Sequence, residues 1–257
     1  MPGAGLSARH VPYGPLPRQQ LDVYLPKNGA VKASILYLYG GAWVSGARWY
    51  YRLFGRAMAA RGFAVVVPDY HLYPQALFPA FVEDAALAFK WLHDNAASLG
   101  GAPSNLFVMG HSAGAHISAL LALDPKYLRA HQLEPSAIKG VIGLAGPYTL
   151  NPFKWRVTKD IFAPSAEEPN GVRPIKLVHA GAPPMLLLHG ARDRVVKSDS
   201  SVNFASALAA AGSSARVKLY PNIGHFEIFA CFLSGWRWRA SVLADTEAFI
   251  AERSAAP

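Results

Sequence analysis

A serine between two glycines offers the clearest chemistry in this sequence. The segment Gly110-His111-Ser112-Ala113-Gly114 directly follows the apolar run Leu106–Met109. A strand that feeds a G-x-S-x-G turn is typical of a nucleophile elbow, which holds the serine hydroxyl clear of the sheet at the start of a helix. The helix-forming run from Ala115 to Leu123 follows in the required place. We therefore expect Ser112 to be a nucleophile; the plain alternative is a glycine-rich loop.

A serine hydroxyl needs a base to take its proton and a carboxylate to orient that base. Both residue types follow Ser112 at the ends of predicted strands, in the order Ser, Asp, His. Asp193 comes after the apolar run Met185–Leu188, and His225 comes after the run Val217–Tyr220. His225 is the only histidine beyond Asp193, so no other base competes if this order holds.

Other carboxylates are alternatives to Asp193 as the acid, namely Asp199, Glu167 and Glu168. Asp199 begins a predicted helix, where a carboxylate suits the free backbone amides. The two glutamates lie in an irregular, proline-rich segment. We therefore favour Asp193, for which a turn or cap residue is the structural alternative.

An acyl-transfer enzyme also needs backbone donors for the developing oxyanion. One is expected to be the amide of Ala113, directly after the serine. The others are expected in a loop after an early strand, and Gly40-Gly41-Ala42 follows the apolar run Ser34–Tyr39. We assign the amides of Gly41, Ala42 and Ala113, with Gly40 as an alternative donor and a simple glycine turn as the structural alternative.

Strand-like and helix-like runs alternate along the chain. The strand-like runs are Leu21–Leu25, Ser34–Tyr39, Phe63–Val67, Leu106–Met109, Val141–Leu144, Met185–Leu188 and Val217–Tyr220. The helix-like runs are Tyr50–Arg61, Phe81–Asn95, Ala113–Leu123, Ser201–Ala211 and Arg239–Glu252. Continuously apolar strands separated by helices predict an α/β fold with a mostly parallel sheet covered on both faces. We expect a single domain over residues 1–257.

The segment 146–183 interrupts this alternation, because it is rich in proline and carries no long periodic run. A long irregular connection inside a compact domain is usually functional, so we expect a small cap over the site. Aromatic residues in or near the motif loops are expected to bind substrate: Trp43, Tyr148, Trp155, Phe226 and Phe229. If they line the site, short-chain or aryl esters fit better than long lipids; the alternative is that they belong to the core.

Composition excludes several classes of protein. Only 16% of the 257 residues are charged and 52% are hydrophobic, which excludes a disordered chain. The formal charge of +9 comes from scattered lysines and arginines, so we expect no nucleic-acid partner. His71, His93, His111 and His116 form no recognised metal-ligand spacing. Cys231, the one cysteine, lies in an apolar stretch and is expected to be buried.

No run of 18 apolar residues exists, so the sequence predicts no membrane span. The segment Met1–Pro17 lacks the apolar centre of a signal peptide. We expect a cytoplasmic protein; export after removal of a signal segment is the alternative.

Together these motifs resemble those of the α/β-hydrolases. The motifs are Tyr39-Gly40-Gly41-Ala42-Trp43, Pro68-Asp69-Tyr70, Gly110-His111-Ser112-Ala113-Gly114, His189-Gly190-Ala191-Arg192-Asp193 and Gly224-His225. Within that superfamily the chain is similar to small carboxylesterases of the hormone-sensitive-lipase-like and feruloyl-esterase-like types, from about Leu21 to Ile250. The resemblance implies an eight-stranded, mostly parallel sheet, hydrolysis of a small-molecule ester, no cofactor, and catalysis by Ser112, Asp193 and His225.

The chain departs from this family at the oxyanion loop, where Tyr39 and Ala42 replace the first histidine and last glycine of the usual His-Gly-Gly-Gly. The departure leaves backbone donors in place but changes how the loop is held. We expect Asp69 and Tyr70 to support that loop. Only a short segment precedes the first predicted strand, which predicts an open site.

Two other functions compete with ester hydrolysis. The Gly-Gly-x-Trp loop also occurs in arylformamidases, so an amide hydrolase using the same three side chains is one alternative. A non-catalytic binding protein on a hydrolase scaffold is the other. Haloalkane dehalogenase and epoxide hydrolase chemistry are disfavoured, because those enzymes use aspartate where this chain has Ser112.

Overall fold

The computed structural model describes residues 4–27 and 30–255, and one eight-stranded sheet organises them. The strands are β1 (Ala4–Pro12), β2 (Gln20–Pro26), β3 (Ala33–Leu38), β4 (Phe63–Pro68), β5 (Leu106–His111), β6 (Gly140–Leu144), β7 (Met185–Gly190) and β8 (Ala215–Tyr220). Their order across the sheet is β1-β2-β4-β3-β5-β6-β7-β8. β2 pairs antiparallel with both of its neighbours, and all the other pairs are parallel.

Helices cover the sheet. They are α1 (Arg52–Ala59), α2 (Ala80–Asn95), α3 (Ala113–Leu123), α4 (Pro125–Arg129), α5 (Arg156–Lys159), α6 (Asp199–Ala210), α7 (Glu227–Ala230) and α8 (Val242–Ala255). Every residue of β3 to β7 is buried, as continuously apolar strands require in a parallel sheet with two covered faces. Every residue of α3 is buried too, which explains its apolar sequence all round. This architecture confirms the predicted α/β fold.

Six of the seven strand-like runs lie within β2 and β4 to β8, the run Ser34–Tyr39 extends one residue beyond β3, and the five helix-like runs overlap α1, α2, α3, α6 and α8. β1 is not predicted from the sequence pattern, because its glycine and proline residues hide the alternation of a strand. β1 is also irregular, with register shifts between Leu6 and Ala8 and between Ala8 and Val11. The short helices α4, α5 and α7 span too few residues to show a helical period.

The register of the sheet brings the loops of interest together. Leu38 at the end of β3 pairs with Gly110 of β5, and His111 pairs with Leu144 of β6. Gly190 at the end of β7 pairs with Tyr220 at the end of β8. The loops after these strands therefore share one edge of the sheet, where functional residues of parallel sheets collect.

The segment 146–183 contains α5 and three short 3-10 helices, with no strand in this fully described stretch. It is anchored to the body of the protein by packing and hydrogen bonds. The Ile161 carbonyl accepts from the Phe78 amide, and the Phe162 ring packs against the rings of Phe78 and Phe81. Its role as a cap stays a prediction, as does the single-domain assignment.

Within residues 4–27 and 30–255, no helix is both long enough and apolar enough to cross a lipid bilayer.

Candidate active site

The serine turn is fixed by close backbone packing. Ser112 has φ 54° and ψ −120°, a strained conformation for a residue that is not glycine. A Cβ on Gly110 would lie 2.3 Å from the Gly114 carbonyl oxygen, and a Cβ on Gly114 would lie 2.0 Å from the Leu38 carbonyl oxygen. Both positions therefore admit only glycine, and the turn presents Ser112 at the N-terminus of α3.

The structure brings the three predicted side chains into one hydrogen-bonded series. His225 Nε2 lies 2.9 Å from Ser112 Oγ, and His225 Nδ1 lies 2.7 Å from Asp193 Oδ2. Asp193 and His225 are buried, whereas Ser112 is partly exposed. The series thus runs from the partly exposed hydroxyl of Ser112 to the buried carboxylate of Asp193.

The carboxylate of Asp193 receives four hydrogen bonds. Oδ1 accepts from the amides of Val195 and Val196, both at 2.8 Å, and Oδ2 accepts from His225 and, at 3.2 Å, from His189 Nε2. Burial by itself raises the pKa of Asp193, but the bonds from His189, His225 and Val196 outweigh it and hold the pKa well below its usual range. Asp193 therefore stays ionised.

His189 is a functional candidate to which the sequence analysis assigned no role. It is fully buried at the end of β7, and its Nε2 also lies 2.9 Å from the Val196 carbonyl oxygen. A carbonyl only accepts, so Nε2 carries a proton, which it shares between Val196 and Asp193. Nδ1 contacts Ser201 Oγ at 2.7 Å. The sequence feature that points to His189 is its position four residues before Asp193, at the carboxyl end of a buried strand.

His111, the residue before Ser112, holds the loop that carries His225. Its Nε2 donates to the carbonyl oxygen of His225 at 2.8 Å. Burial lowers the pKa of His111 to about 4, so the ring is neutral near pH 7. The elbow and the His225 loop are thus tied directly to each other.

The loop after β3 has the tight geometry expected of an oxyanion loop. The Gly41 carbonyl accepts from the amides of Val44 and Ser45, and φ is 137° at Gly41, 52° at Ala42 and 62° at Trp43. Among the described residues, no group accepts from the amides of Gly41, Ala42 or Ala113. These three amides are therefore free to bind a ligand.

Gly40, the alternative donor, lines the same cavity as Tyr51. Burial raises the pKa of Tyr51 to about 12, and the backbone of Gly40 acts against that rise, as an amide that faces the phenolic oxygen does. Gly40 therefore stays an alternative oxyanion donor.

Tyr39 and its partners hold this loop in place of the family's usual histidine. The Tyr39 hydroxyl donates to Asp69 Oδ1 at 3.0 Å, and the Tyr70 hydroxyl donates to the Tyr39 carbonyl at 2.7 Å. Asp69 also accepts from the amide and guanidinium of Arg48. These contacts agree with the expectation that Asp69 and Tyr70 support the loop.

A cavity of about 520 Å³ opens at the serine. Ser112, His225, Gly41 and Ala42 line it together with a mostly apolar wall formed by Val44, Tyr50, Tyr51, Val195, Phe226 and Phe229. The Phe226 side chain is exposed, and its ring packs edge-on against His225 at 5.1 Å. Two of the predicted substrate-binding aromatics, Phe226 and Phe229, thus border the cavity.

The other three predicted aromatics lie elsewhere, which corrects the sequence-based assignment. Trp43 is buried because its ring packs edge-on against Phe162 and His116, at 5.1 Å from each. Tyr148 is buried because it stacks on Phe204 at 4.5 Å. Trp155 is exposed but does not line the cavity. No residue of 146–183, all of them described, lines the cavity either.

The alternative carboxylates and the one cysteine lie outside this site. Asp199 is the first residue of α6, as a helix-start residue should be, and Glu167 and Glu168 are exposed. Cys231 is buried, and burial raises the pKa of its thiol. In the ranges 4–27 and 30–255, no cluster of three or more histidine, cysteine or acidic side chains could hold a metal ion.

Comparison with known proteins identifies relatives over most of the chain. Residues 21–208 match the BD-FAE family. Isoprenylcysteine alpha-carbonyl methylesterase ICME of Arabidopsis thaliana is 32% identical over 86% of this chain and 57% of its own length. Esterase LipC of Mycobacterium tuberculosis is 32% identical over 84% of this chain and 59% of its own length. The chain thus spans little more than half the length of these curated relatives.

A solved structure supports the same grouping. The truncated form of a carbohydrate esterase from gut microbiota superposes with a TM-score of 0.80 and 25% sequence identity. The superposition covers 98% of each chain. The whole described architecture is therefore that of known esterase structures.

Proposed function

Because this chain belongs to the BD-FAE family, we propose that it is a serine carboxylesterase that hydrolyses short-chain or aryl carboxylic esters through an acyl-enzyme. The observation that carries the proposal is the unbroken series from Ser112 Oγ through the His225 imidazole to the Asp193 carboxylate. Relatives named as esterases support an ester as the substrate.

In the first half of the reaction, His225 Nε2 takes the Ser112 proton as Oγ attacks the ester carbonyl carbon. The ionised Asp193 stabilises the imidazolium through Nδ1. The amides of Gly41, Ala42 and Ala113 are the proposed donors to the oxyanion, aided by the positive N-terminal end of α3. His225 then passes its proton to the leaving alcohol as the C–O bond breaks.

In the second half, water attacks the acyl-enzyme. His225 takes one proton from the water, and the oxyanion forms again at the same amides. Collapse of this intermediate releases the carboxylic acid and returns the proton to Ser112 Oγ. The opening of the cavity toward solvent admits the water that this step consumes.

The cavity supports the proposed substrate class. Its wall is largely apolar beside Ser112, which suits the hydrocarbon part of an ester. A volume of about 520 Å³ accommodates a short acyl or an aryl group. A long lipid chain would extend beyond this cavity into solvent.

The test is a series of 4-nitrophenyl esters of increasing acyl length, together with a feruloyl ester. We expect the short esters to give the highest kcat/KM. Ser112→Ala should lower kcat by roughly 10³-fold or more, because the nucleophile is gone while the rest of the site persists. Ser206→Ala, a serine on the exposed face of α6, is the matched control and should keep full activity.

A fluorophosphonate probe gives an independent readout, since it labels only an activated serine. Wild-type turnover by Ser112→Ala, or no labelling of Ser112 in the folded protein, would contradict the proposal. A matched 4-nitroanilide should react far more slowly than the ester. The opposite preference would indicate an amide hydrolase instead.

A further inference from the structure

A second surface depression adjoins the cavity at Tyr50. It has a volume of about 550 Å³ and is lined by Trp49, Tyr50, Arg52, Leu53 and Arg56. These residues belong to the 3-10 helix Arg48–Tyr51 and to α1, which continues from it. Tyr50 lines both depressions, so the second one begins where the wall of the first ends.

This depression carries uncovered apolar side chains. Trp49 is 58% exposed, Tyr50 60% and Leu53 65%, although large apolar side chains usually find cover in a monomeric protein. The rings of Trp49 and Tyr50 pack edge-on with their centroids 4.1 Å apart, so they form one surface. A contiguous apolar patch beside a catalytic cavity is typical of a binding surface.

The same depression carries positive charge without a counterion. Within residues 4–27 and 30–255, the guanidinium groups of Arg52 and Arg56 make no hydrogen bond or ion pair, whereas the guanidinium of Arg61 binds both carboxylate oxygens of Glu247, at 2.5 and 2.9 Å. Two cations four residues apart on a helix repel each other. Arg52 is also the first residue of α1, where the helix dipole disfavours a cation.

A third arginine lies in the same region. Burial raises the pKa of Tyr24, and the positive charges of Arg52, Arg9 and Arg56 act against that rise. Asp22, whose charge acts on Tyr24 in the same direction as burial, is already paired with Arg48 at 3.0 Å. Among the described residues, no ion pair therefore neutralises the positive charge of Arg52 and Arg56.

We propose that the two depressions form one elongated substrate groove for esters that carry a carboxylate at the end of an apolar arm. The ester lies at Ser112, the arm lies across Tyr50 and Trp49, and the carboxylate binds Arg52 and Arg56. Guanidinium groups bind carboxylates through paired charge-assisted hydrogen bonds. This inference rests on the proposed esterase function and specifies its substrate class.

The experiment compares matched pairs of esters that differ only in the terminal charge. One series pairs mono-4-nitrophenyl esters of linear dicarboxylic acids with 4-nitrophenyl alkanoates of equal length. The other pairs acetates of ω-hydroxy acids with acetates of simple alkanols. In at least one of the two series, we expect the wild-type kcat/KM for the anionic ester to exceed that for its neutral partner by about tenfold. This preference should appear once the arm is long enough to reach from Ser112 to Arg52 and Arg56.

The double variant Arg52→Gln with Arg56→Gln should lose this preference. Its activity on the neutral ester should stay within about twofold of wild type, because the series from Ser112 to Asp193 is untouched. Arg52→Lys with Arg56→Lys should keep part of the preference, since charge remains but the bidentate fork does not. The matched control, Arg156→Gln with Lys159→Gln on α5, removes two exposed cations that line neither depression and should keep the preference.

Equal kcat/KM for both members of every pair would overturn the inference, and so would a preference that survives in the double glutamine variant. Wild-type binding to vesicles of phosphatidylcholine and phosphatidylglycerol that is lost in that variant, without any preference among soluble esters, would assign the patch to a lipid surface and also overturn it. No wild-type hydrolysis of the neutral esters would instead reject the proposed function, and the inference with it.

Discussion

The turn at Ser112 and the pair formed by Asp193 and His225 are held by different physical means. The turn around Ser112 is fixed by steric contacts, because a Cβ on Gly110 or Gly114 would overlap backbone atoms. Asp193 and His225 are instead held by hydrogen bonds from His189, from His111 and from the backbone amides that follow Asp193 in its own loop. Overlap with backbone atoms forces the backbone to move, whereas the loss of one hydrogen bond leaves the others in place. We therefore expect changes at the elbow to disrupt the fold and changes around the acid to adjust activity.

The sharpest test of the steric side is Gly114→Ala. The added methyl group would lie 2.0 Å from the Leu38 carbonyl oxygen, so β3 and α3 must separate. We expect a loss of about 3 kcal/mol or more in the free energy of unfolding, measured by urea denaturation. Gly181→Ala is the control, because its Cβ would approach nothing closer than 3.5 Å and its stability should change by less than about 0.5 kcal/mol. Equal midpoints for the two variants would contradict the steric account.

A second test uses pH, because the elbow carries two buried histidines. Burial lowers the pKa of both His111 and His116 to about 4, against about 6.5 in an unfolded chain. Between these values the unfolded state binds more protons, so stability is complete above pH 6.5 and falls as the pH drops toward 4. Each histidine should contribute roughly 3 kcal/mol to that fall.

In the same pH window Asp193 stays ionised, because its pKa lies well below its usual range, so the acid side adds little to the pH dependence. The measurement is the free energy of unfolding in urea at several pH values from 7 to 4.5. His116→Gln removes one titrating group and should roughly halve the slope. A variant with the wild-type slope would show that His116 is not the group responsible.

The smallest expected effect is on the hydrogen-bonded side. His189→Leu removes one donor from Asp193 Oδ2, which raises the pKa of that carboxyl and makes it a stronger acceptor for the hydrogen bond from His225. The acid limb of kcat/KM should therefore move to higher pH by about half a unit, with roughly a tenfold loss of kcat at neutral pH. The pH–rate profile measures both.

His189→Gln, whose amide can still donate, is the matched variant and should restore part of the profile. A purely structural role for His189 predicts a different result. In that case kcat would fall equally at every pH and the acid limb would stay in place.

The aromatic residues near the motifs show that the sequence does not decide whether such a side chain lies in the core or at the cavity. Trp43 and Phe226 both adjoin the predicted motifs in the sequence. Trp43 nevertheless packs in the core against Phe162, whereas Phe226 borders the cavity. Neither periodicity nor motif spacing distinguishes these two outcomes, since both residues lie in loops. Trp43 is decided by His116 and Phe162, which lie 73 and 119 residues further along the chain. Phe226 is decided by the loop after β3, which forms the other side of the cavity.

By itself, the sequence determined most of the order of strands and helices and marked Ser112, Asp193 and His225 as candidates, because apolar periodicity and glycine sterics act over a few neighbouring residues. It also indicated the loop that carries Gly41 and Ala42. Only the tertiary structure decided that His189 bonds to Asp193, that Tyr51 borders the cavity beside Gly40, and that two arginines without an ion-pair partner lie beside that cavity. These contacts join residues from separate strands and helices, so they exist only once the sheet has set the distances between their ends.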